Sequence, residues 1–249
     1  MKFGLAMEVH HSGLYVTERH EKWLQANPNP IYSPEAIRLA ETTFSEAQRD
    51  RTKSFSASHL SGCPRAAQFQ YRGLPQREFN DAHLINIFHN GDFMHLRWQM
   101  AGMTAGWLDM AEVFRGSEQW WLKGSLDGIL DNGWGLELKS IHSNGFKQVL
   151  QYGGKKEHLT QIDAYFLLWP EIGTFSLIYE NKDTQDYKEI VVEREEKRVE
   201  ELEDRLLKMI ENTRSHIYFD IRDDCWKGEG QMFRHCPYSE ICRDQGVVW

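Results

Sequence analysis

Asp127-Gly128-Ile129-Leu130-Asp131-Asn132-Gly133-Trp134-Gly135-Leu136-Glu137-Leu138-Lys139 reads as two strands joined by a tight turn. Asn-Gly between apolar runs is the strongest short-range hairpin signal, because both turn positions favour positive φ. The arms extend over about 119–130 and 134–141. Strand side chains alternate with a period of two, so Glu137 and Lys139 share one face while Leu136 and Leu138 take the other. Asp127 joins Glu137 if the two arms present them on the same face. Two carboxylates and a lysine in apolar strand sequence are costly to bury without a counter-ion. A hard divalent cation solves that problem, since Mg²⁺ or Mn²⁺ takes carboxylate, carbonyl and water oxygens. The same spacing also suits a salt bridge between Glu137 and Lys139 on a half-exposed strand.

The 249 residues can bury a substantial core with an appended subdomain. Charged residues at 27% and hydrophobic ones at 41% are ordinary for a globular protein. No apolar run approaches the roughly 18 residues of a membrane helix, and the start does not read as a signal peptide. The expected compartment is the cytoplasm, with no membrane partner. A net charge of -8 argues against a protein that coats DNA through bulk positive charge. It leaves room for an enzyme whose carboxylates hold metals and whose local cations meet phosphate. The candidates are Arg65, Arg72, Arg77, Arg97, Lys147, Lys155 and Lys156, each of which also reads as a solvated surface residue.

Around the hairpin, Ser33-Pro34-Glu35 starts a helix with Ile37, Ala40, Phe44 and Ala47 as its packing face. A second helix is expected to start near Ser56 or Ser58 and to carry Cys63-Pro64-Arg65, then Phe69 and Tyr71. A long helix over about 81–103 places Leu84, Ile87, Met94 and Trp98 on one side, with His95 beside them. A strand over about 111–115 precedes the hairpin, and a helix over about 156–169 follows it. Strands over 174–179 and 187–192 come next, then a helix over 195–216 with Val199, Leu202, Leu206 and Met209 on its core face. This order is a mixed α/β layout around a central sheet flanked by helices. Gln161 and Tyr165, four apart, share a helix face, and His158 lies three before Gln161 on it. Trp120 and Trp121 could stack on nucleic-acid bases, but adjacent strand residues face opposite ways, so at least one belongs to the core.

Asp127 and Glu137-Leu138-Lys139, in this strand order and followed by a helix bearing Gln161 and Tyr165, resemble the PD-(D/E)XK nuclease superfamily, specifically its RecB-like branch. That resemblance implies a restriction-endonuclease-like core in which His95, preceded by Gly91, joins Asp127, Glu137 and the backbone carbonyl of Leu138 around Mg²⁺ or Mn²⁺. Imidazole suits Mn²⁺ better than Mg²⁺. Lys139, Gln161 and Tyr165 complete the implied catalytic set. One early cysteine, Cys63, and three late ones, Cys225, Cys236 and Cys242, suggest metal ligation in a cytoplasmic protein. They are similar to the cysteines of CRISPR-associated Cas-four-type and AddB-type exonucleases, which implies a four-iron, four-sulfur cluster, with structural zinc as the alternative. Ten residues separate Cys225 from Cys236, where those relatives have two, so His235 is a candidate substitute ligand.

The resemblance spans about 56–242 and leaves the first fifty or so residues unassigned; the chain is expected to divide four ways. Residues 1–55 form an N-terminal helical extension, and 56–110 a helical segment with the first cysteine and the metal-binding histidine. Residues 111–194 form the nuclease core, and 195–249 the C-terminal helix and cluster segment. It implies a metal-dependent DNA exonuclease preferring single strands or free ends, with protein partners in recombination, repair or CRISPR complexes. The alternatives are a non-catalytic nucleic-acid-binding or assembly subunit, a structural zinc protein and a sequence-specific endonuclease.

Overall fold

The computed structural model describes residues 14–43, 52–77, 81–221, 225 and 236–244. Phe44, Ala47 and His235 lie outside the described residues. In chain order the elements are α1 (Thr17–Ala26), α2 (Pro34–Thr43), β1 (Phe55–Ser56), a 3₁₀ turn (Ala57–His59), α3 (Pro64–Tyr71), α4 (Ala82–Ala105), β2 (Leu108–Ser117), β3 (Leu122–Leu130) and β4 (Gly135–Ile141). They continue with α5 (Ser143–Tyr152), α6 (Lys156–Leu168), β5 (Thr174–Asn181), β6 (Tyr187–Glu193), α7 (Glu196–Arg214) and α8 (Ser239–Asp244). Among the described residues no helix is long and apolar enough to cross a membrane.

The hairpin turn differs in kind from the expected one. Only Gly133, at φ 80°, takes the left-handed region; Asn132 does not. The loop therefore has three residues, closed by Leu130 N–H to Trp134 O at 2.8 Å and Gly133 N–H to Leu130 O at 2.9 Å. Asn132 accepts the Trp134 N–H with its side chain, so the turn needs one glycine and not two left-handed positions. The loop is tied down from outside, since Asp131 accepts from Tyr15 and Arg19.

Six strands form one mixed sheet in the order β1-β3-β4-β5-β6, with β2 on the free side of β3. β3 and β4 pair only at Gly128↔Leu136 and Ile129↔Gly135. On its other edge β4 pairs with β5 along its whole length, running parallel to it from Gly135↔Phe175 to Ile141↔Asn181. β1 runs parallel to the other end of β3, at Leu122 and Lys123. Between the two contacts, residues 124–127 of β3 have no strand partner on that edge, and a cleft opens there.

Two apolar layers sandwich the sheet. Trp98, Trp107, Leu136, Leu138 and Ile178 pack on the α4 side, while Phe166, Trp169, Phe175, Leu177 and Leu206 pack on the side of α6 and α7. The alternation in β4 follows from these layers: Leu136 and Leu138 face α4, and Glu137 and Lys139 face α6.

Several sequence expectations are corrected. The segment after Phe55 is a strand and a 3₁₀ turn, and α3 starts at Pro64 with Cys63 as its cap residue. α1 falls within the expected helical extension, whereas α5 has no counterpart among the expected elements. Ile37 is exposed; Ala36 is the buried α2 residue, with Leu39 and Ala40 half-buried. Trp120 belongs to the core, whereas Trp121 is stacked on Tyr71 at 4.7 Å with Arg214 over its ring, so its ring already serves protein contacts. Arg65 is buried and donates to Phe219 O, Arg72 donates to Thr213 O, and Arg97 pairs with Glu180. Arg65 is thus a buried structural cation, Arg72 is half-buried, and Arg97 stays exposed while paired.

Candidate active site

Extending the β3–β4 register by one step sets Asp127 opposite Glu137. The ladder stops there, and the Leu138 N–H donates instead to Asp127 Oδ2 at 2.6 Å. Asp127 Oδ1 lies 3.1 Å from His95 Nδ1 on α4. Glu137 Oε1 meets Lys139 Nζ in an ion pair and accepts from Gln161 Nε2 at 2.8 Å. Lys139 also donates to Gln161 Oε1 at 2.9 Å. Gln161 Nε2 reaches Tyr165 Oη as well, and Tyr165 donates to the Ser125 carbonyl on the unpaired stretch of β3. The fold thus brings His95, Asp127, Glu137, Lys139, Gln161 and Tyr165 around one cavity of about 320 Å³.

His158 does not join them. It bonds the Tyr179 hydroxyl at 2.9 Å, and burial, with Lys139 and Lys155 nearby, holds its pKa down at about 3.

The electrostatics are those of acids crowded out of water. Burial, reinforced by Asp127, pushes Glu137 up to about 7 against the pull of Lys139. For Asp127 burial is outweighed by the His95 charge and hydrogen bond, so its carboxyl sits low. Burial opposes the His95 imidazolium, but Asp127 and then Glu137 raise it to about 9. Lys139 is raised by its two carboxylate neighbours against its own burial.

Glu137 Oε2 is buried with no hydrogen-bond partner, an arrangement that is rare and costly for a carboxylate oxygen. A divalent cation fits that orphaned oxygen and the hard donors beside it. Among the described residues, no three His, Cys, Asp or Glu side chains are already gathered as a cage.

Two further residues shape the cleft. Glu112 on β2 has φ 53°, and the β2–β3 ladder skips its pairing with Asp127. The Asp127 carbonyl is taken by Gln99 Nε2 at 2.8 Å, and Gln99 also donates to Glu112. Gln99 clamps the strand that carries Asp127. Its signal was in the sequence, four residues after His95 and so on the same helix face.

Cys63, Cys236 and Cys242 are partly buried. Burial raises Cys236, and its Cys63 and Cys242 neighbours raise it further. Cys242 is also raised by burial, with Arg65 opposing and Cys63 adding. Among the described residues these thiols are not gathered as a metal-holding group. Cys225 is partly buried.

No family model matches the sequence, and no curated protein matches it. Among solved structures it is similar to the alkaline exonuclease LHK-Exo from Laribacter hongkongensis, with a TM-score of 0.50 and 14% identity over 71% of this chain and 93% of that one. The same exonuclease in complex with dAMP gives a TM-score of 0.51 at 14% identity, over 67% of this chain and 90% of that one. At this identity the likeness is one of fold: the chain shares the α/β architecture of an exonuclease, a mixed central sheet flanked by helices.

Proposed function

We propose that the protein is a metal-dependent DNA exonuclease acting on strands with free ends, and that it prefers single strands. The observation that carries the reading is Glu137 Oε2, a buried carboxylate oxygen left without a partner inside a cavity shared with Asp127, His95 and Lys139. The fold shared with an exonuclease supports it.

His95, Asp127, Glu137 and the Leu138 carbonyl would hold Mg²⁺ or Mn²⁺. In an extended strand a residue's N–H and C=O leave from the same edge, so the Leu138 carbonyl stands on the edge where its N–H meets Asp127. When bound, the cation supplies an activated water and neutralises phosphoryl charge. Lys139 supplies a fixed ammonium that orients the attacking water or stabilises charge growing on the phosphate. Gln161 holds Lys139 and Glu137 in register by bonding both. Tyr165, raised well above its ordinary pKa by burial and then by Glu137 and Asp127, stays protonated and anchors Gln161 to β3.

The placing of one early cysteine, Cys63, and three late ones, Cys225, Cys236 and Cys242, supports a four-iron, four-sulfur cluster held by these four, structural zinc being the alternative. Visible absorption of anaerobically purified protein separates the two, because zinc is colourless. For the nuclease, release of acid-soluble nucleotides from DNA with Mn²⁺ or Mg²⁺, and its loss on chelation, is the expected result. Undiminished release under chelation contradicts the metal site.

A further inference from the structure

The cleft continues beyond the carboxylates. A second open cavity of about 560 Å³ adjoins it, and Ser54 and Lys123 line both. Its floor is the junction where β1 runs beside β3, Ser56 opposite Lys123. Its walls carry Lys53, Trp121 and Glu118.

Three observations set this trough apart. The protein is strongly acidic overall, yet Lys53 is exposed and Lys123 half-buried in the trough. Among the described residues neither lysine makes a salt bridge. The second observation is position. Lys123 precedes Asp127 by four residues on β3, about 13 Å along the strand, and both line the first cavity. That separation suits a neighbouring phosphate and not the one under attack.

The third is backbone conformation. Lys53 at φ 55°, Trp121 at 48° and Glu112 at 53° are non-glycine residues in the left-handed region; Lys53 and Trp121 line the trough and Glu112 the carboxylate cavity. Such conformations persist only where surrounding structure enforces them, and they cluster at ligand sites. Here the Lys53 N–H donates to Tyr71 O at 2.8 Å, the Phe55 N–H to Trp121 O at 2.6 Å, and the Tyr71 and Trp121 rings stack. Lys53 is thereby held at the mouth of the trough.

We propose that this trough carries the phosphodiester backbone of the substrate strand adjacent to the scissile phosphate, with Lys53 and Lys123 each meeting one phosphate. The inference rests on the nuclease reading and specifies where the polyanion runs once it leaves the carboxylates. Recognition is of the backbone, so it is indifferent to base sequence. Trp121 forms a rigid wall, and Glu118 repels the strand toward the lysine side.

The test is equilibrium binding of a fluorescent single strand of about 12 nucleotides with Mg²⁺ present, in a Lys139→Ala background to prevent cutting. Lys53→Gln and Lys123→Gln are each expected to weaken binding about three- to tenfold near 0.1 M salt and to reduce the log–log salt slope by about one. Lys53→Arg is expected to keep the slope, and matched thermal melts show that the variants fold. Unchanged affinity and slope in the double variant, from a wild type that degrades DNA, overturn the trough and leave the nuclease reading standing. A parent that binds no strand and a wild type that cuts none overturn both.

Discussion

Two buried glutamates on one sheet make opposite use of burial. Glu189 on β6 has both oxygens engaged: Ser176 donates to one, and the Val16 N–H, the Thr17 N–H and the Thr17 hydroxyl donate to the other or are shared with it. It caps α1 from across the fold, where Val16 offers no side-chain cap of its own. Glu137 on β4 is buried as deeply, yet one of its oxygens has no partner and its acidity is pushed toward neutrality. Glu189, which serves the fold, is fully satisfied; Glu137 is left open, as the proposed chemistry requires. The difference can be broken or sharpened by substitution.

The largest effects belong at the open end. Glu137→Ala, Asp127→Ala or Lys139→Ala is expected to lower DNA cleavage by about 10³-fold or more while a cooperative melt remains. Unchanged rates in these variants sink the site. At the satisfied end, Glu189→Ala leaves the α1 amides and two hydroxyls without their acceptor. It is expected to cost about 2–4 kcal/mol, read as a fall in Tm of roughly 5–15 °C. Cys236→Ala belongs with this second class, lowering solubility and Tm more than the specific activity of the protein that survives. Equal thermal stability contradicts a structural role for the cysteine end.

The smallest effect concerns His20. Its ring stacks on Trp98 at 3.8 Å, neither ring nitrogen has a hydrogen-bond partner, and burial, then Arg97, lowers it to about 4. The folded state therefore holds fewer protons than the unfolded chain between pH 6.5 and 4, and stability falls as pH falls through that window. The wild type is expected to lose up to about 3 kcal/mol more than His20→Phe on acidification from pH 7 to 4. Parallel stability curves contradict the buried neutral imidazole.

What was legible in the sequence follows the same division. Glu137 and Lys139, and Gln161 and Tyr165, were readable because strand and helix periods fix which side chains share a face. The positions of β2 through β6 and α7 followed from apolar patterning. The short β3–β4 pairing was not readable, because where β4 leaves β3 depends on its long-range partnership with β5. The Glu112 backbone had no signal either, since nothing in a glutamate announces positive φ. Nor could the Glu189 cap be seen, its partners lying more than 170 residues away. Arg65 looked like a surface cation for phosphate because its burial beneath Phe219 and Tyr218 depends on the closing of the two chain ends.

The most direct test of the open carboxylate is degradation of 5′-labelled and 3′-labelled single-stranded DNA by anaerobically purified protein with Mn²⁺ or Mg²⁺, beside Lys139→Ala. The account predicts metal-dependent loss of label in the wild type alone, with product sizes giving the direction of digestion. Intact DNA after incubation with folded, metal-supplied wild type would contradict it.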